Sequence, residues 1–181
     1  MTIVATQATR RYFDSMMTSV SSETIVTQFI RVLREAFEGP PGPWSYFTDK
    51  DSLAGVFGTI DRLSSVEASR RIGSSATTIA GHVQHLVSSL AISIRWVRGE
   101  LVARDRDQSW TAGELDDAGW SALRASLRRE YASLVTAIQS QGNWNEDAIG
   151  GAIGSIAHVA YHLGAIRQRL VIAGTESRER P

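Results

Sequence analysis

Four histidines stand in this 181-residue chain, and they fall into two tight pairs, His82 with His85 and His158 with His162. The second pair lies inside Ser155–Gln168, a segment with the apolar spacing of a helix. On a helix, residues four apart share a face about one turn apart, so the two imidazoles can reach one metal ion. His82 and His85, three apart, are likewise neighbours on one predicted helix face. Two nitrogens from one helix hold a divalent ion poorly. A third imidazole from the other pair would complete a three-nitrogen set with positions left open for water or substrate, the pattern of catalytic sites. Spacing alone leaves open whether His82 or His85 supplies it.

Composition narrows the chemistry. With no cysteine, disulfides, thiolate ligands and a cysteine nucleophile are excluded, so a metal would be held by nitrogen and oxygen. Residues 159 and 160 are Val and Ala, where a zincin would carry its glutamate base, which disfavours a metalloprotease. Gly150-Gly151-Ala152-Ile153-Gly154 has the composition of a phosphate loop but lacks the Lys-Ser/Thr ending, and reads as close helix packing. No Gly-x-Ser-x-Gly elbow occurs, and no residue stands out as a general base. Nineteen basic against nineteen acidic residues give zero net charge, hence no electrostatic case for nucleic acid or an anionic membrane. No signal-peptide pattern or uninterrupted apolar run of transmembrane length is present, and a cytoplasmic protein is expected.

The elements that must position these residues are all helical. Residues 1–20 are weakly periodic and read as a partly ordered segment before a domain at 21–173. Ser21-Ser22-Glu23 opens a first helix carrying Ile25, Phe29, Val32, Leu33, Ala36 and Phe37, which stops at Gly39-Pro40-Pro41-Gly42-Pro43. Trp44, Tyr46 and Phe47 follow and are expected to pack back on the core rather than form a substrate platform. Asp51 or Ser52 would cap a short helix through Leu63. A long helix from about Thr77 carries Ile79, Val83, Leu86, Leu90, Ile94 and Val97, with Gly99 just past its end and His82, His85 and Ser89 on the flank of its stripe. Residues 99–115 read as a loop containing Trp110. The next helix spans about Asp116 to Gln141 on Trp120, Leu123, Leu127, Tyr131, Leu134 and Ile138; the solvated face of Arg124, Arg128 and Arg129 lies opposite.

The last helix, from about Asn145, has its stripe on Ile149, Ile153, Ile156, Val159, Leu163, Ile166 and Leu170. Gly174 is expected to end it, leaving 174–181 as a disordered tail. His158, His162 and Arg169 lie some 100° from the stripe centre, at the mouth of an interhelical cleft, with Ala157, Gly164 and Ala165 leaving room for a helix or ligand. Arg169 would form a surface salt bridge or orient an anionic substrate. No stretch alternates with period two. The expected fold is all-α, a four-helix bundle with crossover connections and one additional short helix.

Three stretches, Thr78–Leu86, Ala157–Gln168 and Trp110 between them, resemble the DinB/YfiT-like superfamily of small helical bundle proteins, in order and spacing along residues 22–172. The resemblance implies a divalent metal (nickel, zinc or iron) bound by one histidine of the second bundle helix and two of the last, which fall at His85, His158 and His162. His82 falls at an aliphatic or variable position and is expected either to sit directly behind the ligands, in contact with one of them, or to be simply exposed. The resemblance further implies a small-molecule substrate, a low-molecular-weight thiol such as bacillithiol, mycothiol or glutathione activated for S-transfer, or hydrolysis at a metal-bound water, and a homodimer. The alternative is a non-catalytic helical module that binds a ligand or dimerises in a stress response.

Overall fold

In the computed structural model, residues 20–72, 77–100, 102 and 113–178 are described, with side chains to Gly174. Trp110 and residues 1–19 lie outside them. The described residues form helices and no strand: α1 (Ser22–Glu38), α2 (Val56–Asp61), α3 (Ser65–Ser69), α4 (Ile79–Val97), α5 (Asp117–Ser140) and α6 (Glu146–Arg178). The fold is all-helical. α4 packs on both α5 and α6, α1 packs on α6, α2 and α5, and α3 closes over α4 and α5.

Short polar side chains start the long helices where expected, each giving an orphan backbone N–H an acceptor. Ser21 accepts from the Thr24 N–H, Thr78 from Gly81, Asp116 from Gly119 and Asn145 from Ala148. α1 ends at Gly39, whose φ of 95° favours glycine. A Cβ there would also meet the Ser52 carbonyl oxygen at 2.4 Å. Every stripe residue read from α4 and α5 is buried.

Several expectations are corrected. The cap of α2 is Gly55, with no side-chain bond, because Asp51 instead turns back to accept from the Leu53 N–H at 2.9 Å. α3 was not expected. Ser64 and Glu67 form a capping box for it, and Ser65 donates to Asp117 at the start of α5 at 2.6 Å. Arg124 and Arg128 are not simply solvated, since both pair with Asp61 and Arg128 lies over the Phe57 ring. α6 runs through Gly174 to Arg178. Its buried line is Ala148, Ala152, Ser155, Val159, His162, Leu163 and Ile166, while Ile153 is 54% exposed. The packed face is therefore rotated from the isoleucine stripe toward the smaller residues. Over 146–174 this helix is long and apolar enough, by length and composition, to cross a membrane, although no uninterrupted run suggests it. In this fold the same apolarity covers α4 and α1.

The aromatic loop after α1 does not pack on the core. Trp44 and Tyr46 are 52% and 47% exposed, stacked edge to face at 4.2 Å with the Arg31 guanidinium over both rings. What holds the loop is Glu35, an α1 residue only 1% exposed. Its carboxylate accepts from the N–H groups of Tyr46, Phe47 and Thr48 and from the hydroxyls of Ser45 and Thr48, at 2.7–3.1 Å. Desolvation pushes the carboxyl up, but these donors together outweigh it and draw its pKa from 4.5 to about 2. The stability this contributes is complete above pH 4.5 and is lost as pH falls from there toward 2.

Two predictions follow from the frame. Glu35→Gln, whose amide N–H would face donors, should cost about 2–3 kcal/mol in urea unfolding at pH 7. The difference from wild type should narrow between pH 4.5 and 2; a gap that stays constant across that range would refute the charged clamp. Gly151 touches α4 so closely that an added Cβ would lie 2.8 Å from Trp96 Cβ and 3.1 Å from its backbone carbonyl carbon. Gly151→Ala should therefore destabilise by about 1–3 kcal/mol, whereas Gly154→Ala, with nothing near it, should not destabilise by overpacking.

Candidate metal centre

α4 and α6 run antiparallel, so rising residue numbers on one meet falling numbers on the other. Trp96 meets Gly151, Ser89 and His85 meet His158, and His82 meets His162. The two histidine pairs thus interleave into one cluster. His162 is its hub, 1% exposed, with ring centroids 4.5 Å from His158, 4.8 Å from His85 and 5.1 Å from His82. His85 and His158 are half-buried.

The contacts are nitrogen to nitrogen. His85 Nε2 lies 3.1 Å from His158 Nε2, which also has Ser89 Oγ at 3.2 Å. His82 Nδ1 lies 2.9 Å from His162 Nδ1. Such separations suit a shared proton, and they also suit two nitrogens on one ion, since ligands about 2.0–2.1 Å from zinc stand roughly 3.0–3.4 Å apart. Ligand nitrogens of His85, His158 and His162 all lie within 4.8 Å of one another, close enough to hold a metal ion. Three imidazoles are borderline donors that fit nickel, zinc or iron.

The sequence expectations for this region are sharpened here. The cluster is not wholly at a cleft mouth: His162 is in the core because the packed face of α6 includes it. Of the two places expected for His82, behind a ligand or exposed, it takes the first. It is 6% exposed, bonded to His162, and accepts at Nε2 from the Arg169 Nε–H at 3.2 Å. Arg169 therefore turns its Nε–H inward to an imidazole. Ala157 and Gly164 are exposed and leave no space at the cluster, whereas Gly151, two turns away, makes the close approach. Burial first, then the Arg169 and His85 charges, lowers the pKa of His82 from 6.5 to about 4.

The signal for His82 was available in its position three residues before His85, but its depth was not, because that depends on which face α6 turns inward. Glu35 carried no sequence signal, since a lone glutamate on an amphipathic helix reads as solvated. Comparison with protein-family models, with curated proteins and with solved structures finds no match to this chain.

In metal-free protein, the His82 ring should titrate near pH 4 when followed by NMR. A depressed imidazole pKa means the unfolded chain binds the extra proton first, so this group's contribution to stability is complete above pH 6.5 and declines toward pH 4. A His82 midpoint near 6.5 would contradict its neutral, buried state.

Proposed function

We propose that this chain is a divalent-metal-binding four-helix bundle with crossover connections, akin to the DinB/YfiT-like superfamily, in which His85, His158 and His162 are the ligands. The observation that carries this reading is the convergence of three imidazoles, one from α4 and two from α6, within 4.8 Å of one another. The arrangement of α1, α4, α5 and α6 around one core, with a long connection between α1 and α4 and a short one between α5 and α6, supports the bundle. A bound ion would supply Lewis acidity, lowering the pKa of a thiol or water in its open positions.

The protein's own groups supply orientation. His82, on α4, meets His162 at Nδ1 and so fixes the orientation of that ring, while Ser89 meets His158 at Nε2, the nitrogen that also faces His85. The reaction this supports is S-transfer from a low-molecular-weight thiol to a small electrophile, or hydrolysis of a small-molecule substrate, in a cytoplasmic homodimer. The cluster contains no carboxylate among the described residues, and that observation favours a second reading: a non-catalytic helical module in which the centre serves ligand binding or assembly.

Elemental analysis separates these ideas from a metal-free protein. Purified wild type should carry about one equivalent of nickel, zinc or iron, and a His85→Ala/His158→Ala variant essentially none. Equal, negligible metal in both would sink the ligand assignment. With metal present, transfer to electrophiles from bacillithiol, mycothiol or glutathione supports the enzyme; inactivity across that panel and with hydrolysable esters and amides favours the module.

A further inference from the structure

The chain Arg169–His82–His162 has a direction. A guanidinium N–H only donates, so the bond from Arg169 Nε requires His82 Nε2 to be unprotonated. The neutral His82 ring then carries its proton on Nδ1. That N–H points at His162 Nδ1, 2.9 Å away, which must accept. A neutral His162 accepting at Nδ1 carries its own proton on Nε2, the other ring nitrogen. With Nδ1 turned to His82, Nε2 is the nitrogen His162 would offer an ion, and in this state a proton occupies it.

We propose that Arg169, acting through His82, is a tautomer lock that holds His162 in the form unable to bind a metal. The lock rests on the ligand assignment above and adds a control to it. For Nε2 of His162 to accept an ion, its ring proton must stand on Nδ1. Two N–H donors, His162 Nδ1–H and Arg169 Nε–H, then face the two nitrogens of one neutral His82, which has a single acceptor. One bond must break, and the one that can move is the guanidinium, on a long half-buried side chain. His82 then carries its proton on Nε2 and accepts at Nδ1 from His162. The pair holds two protons before and after: the Nδ1 proton of His82 passes across the 2.9 Å contact to His162 Nδ1, the Nε2 proton of His162 is released to solvent as the ion takes that lone pair, and His82 takes one up at Nε2. Arg169 is a positioning residue here, antagonistic to the ion.

The lock reverses the usual expectation for a residue beside a metal centre, where removal weakens binding. Arg169→Met keeps the aliphatic stem and removes the donor, so its affinity for nickel or zinc, measured by competition with a chromophoric chelator, should rise about tenfold or more. Arg169→Lys restores a donor and should return the affinity toward wild type. Nitrogen-15 NMR of metal-free protein reads the tautomers directly: His162 protonated on Nε2 in wild type, shifted toward Nδ1 in Arg169→Met. Circular dichroism and urea unfolding establish that each variant is folded; should Arg169→Met fail that check, Arg169→Gln and the wild-type tautomer decide the matter. Unchanged or weaker metal binding in the folded variant lacking the arginine overturns the lock, as does a wild-type His162 already protonated on Nδ1. Metal-free wild type under all loading conditions sinks the ligand assignment itself and takes the antagonism with it, whatever the NMR shows of the tautomers.

Discussion

Two imidazole nitrogens buried 2.9 Å apart tolerate few states. With protons on both they repel, with none they leave two lone pairs facing each other, and only one proton or one cation between them is favourable. A second, half-buried contact of 3.1 Å stands beside it between α4 and α6. The remainder of the fold can be understood as what keeps these helices close enough for that condition to hold. α5 and α1 back the pair from the other sides, burying Leu86, Leu90, Leu127, Leu134 and Leu33 around it.

The polar groups in this core would be costly if any were left unmatched. Ser155 donates to the Gly151 carbonyl one turn back, Ser89 meets His158, and Thr78 spends its hydroxyl on the helix end. The same economy operates at the far end of α1, where a buried carboxylate is tolerable only because five donors converge on it. In both places a polar side chain inside the protein organises a neighbour: the loop in one case, a ring's proton in the other.

Much of this was legible in the residues. α4 and α5 carry large aliphatic side chains on one face and little ambiguity elsewhere, so their stripes were read as they stand and their ends to within about two residues. Ser64-Ser65-Val66-Glu67 spelled a capping box and could have announced α3. α6 misled because its isoleucines compete with alanine, serine and glycine for the inner face. Close packing against α4 favours the small residues, and volume at an interface is not visible in one helix alone. That rotation carries His162 inward and explains why the cluster is deeper than a flank position implied. Trp44 and Tyr46 misled for a related reason: aromatic rings usually seek burial, yet here the loop's backbone is committed to Glu35, which leaves the rings outside beneath Arg31. His85, His158 and His162 were identified as a set by type, spacing and resemblance, and their proximity follows from the antiparallel register.

The missing side chain at Gly151 has a consequence beyond its own contact. α4 and α6 are stiff, and His158 stands seven residues from Gly151, about 10 Å along the axis. A gap opened at one point along such a pair is passed on to the other with little loss, while an N–H···N contact weakens over a few tenths of an ångström. The mechanical tolerance of the histidine cluster is thus set at a position that bears no functional group. Drift in its geometry between variants can arise there, with every imidazole left in place.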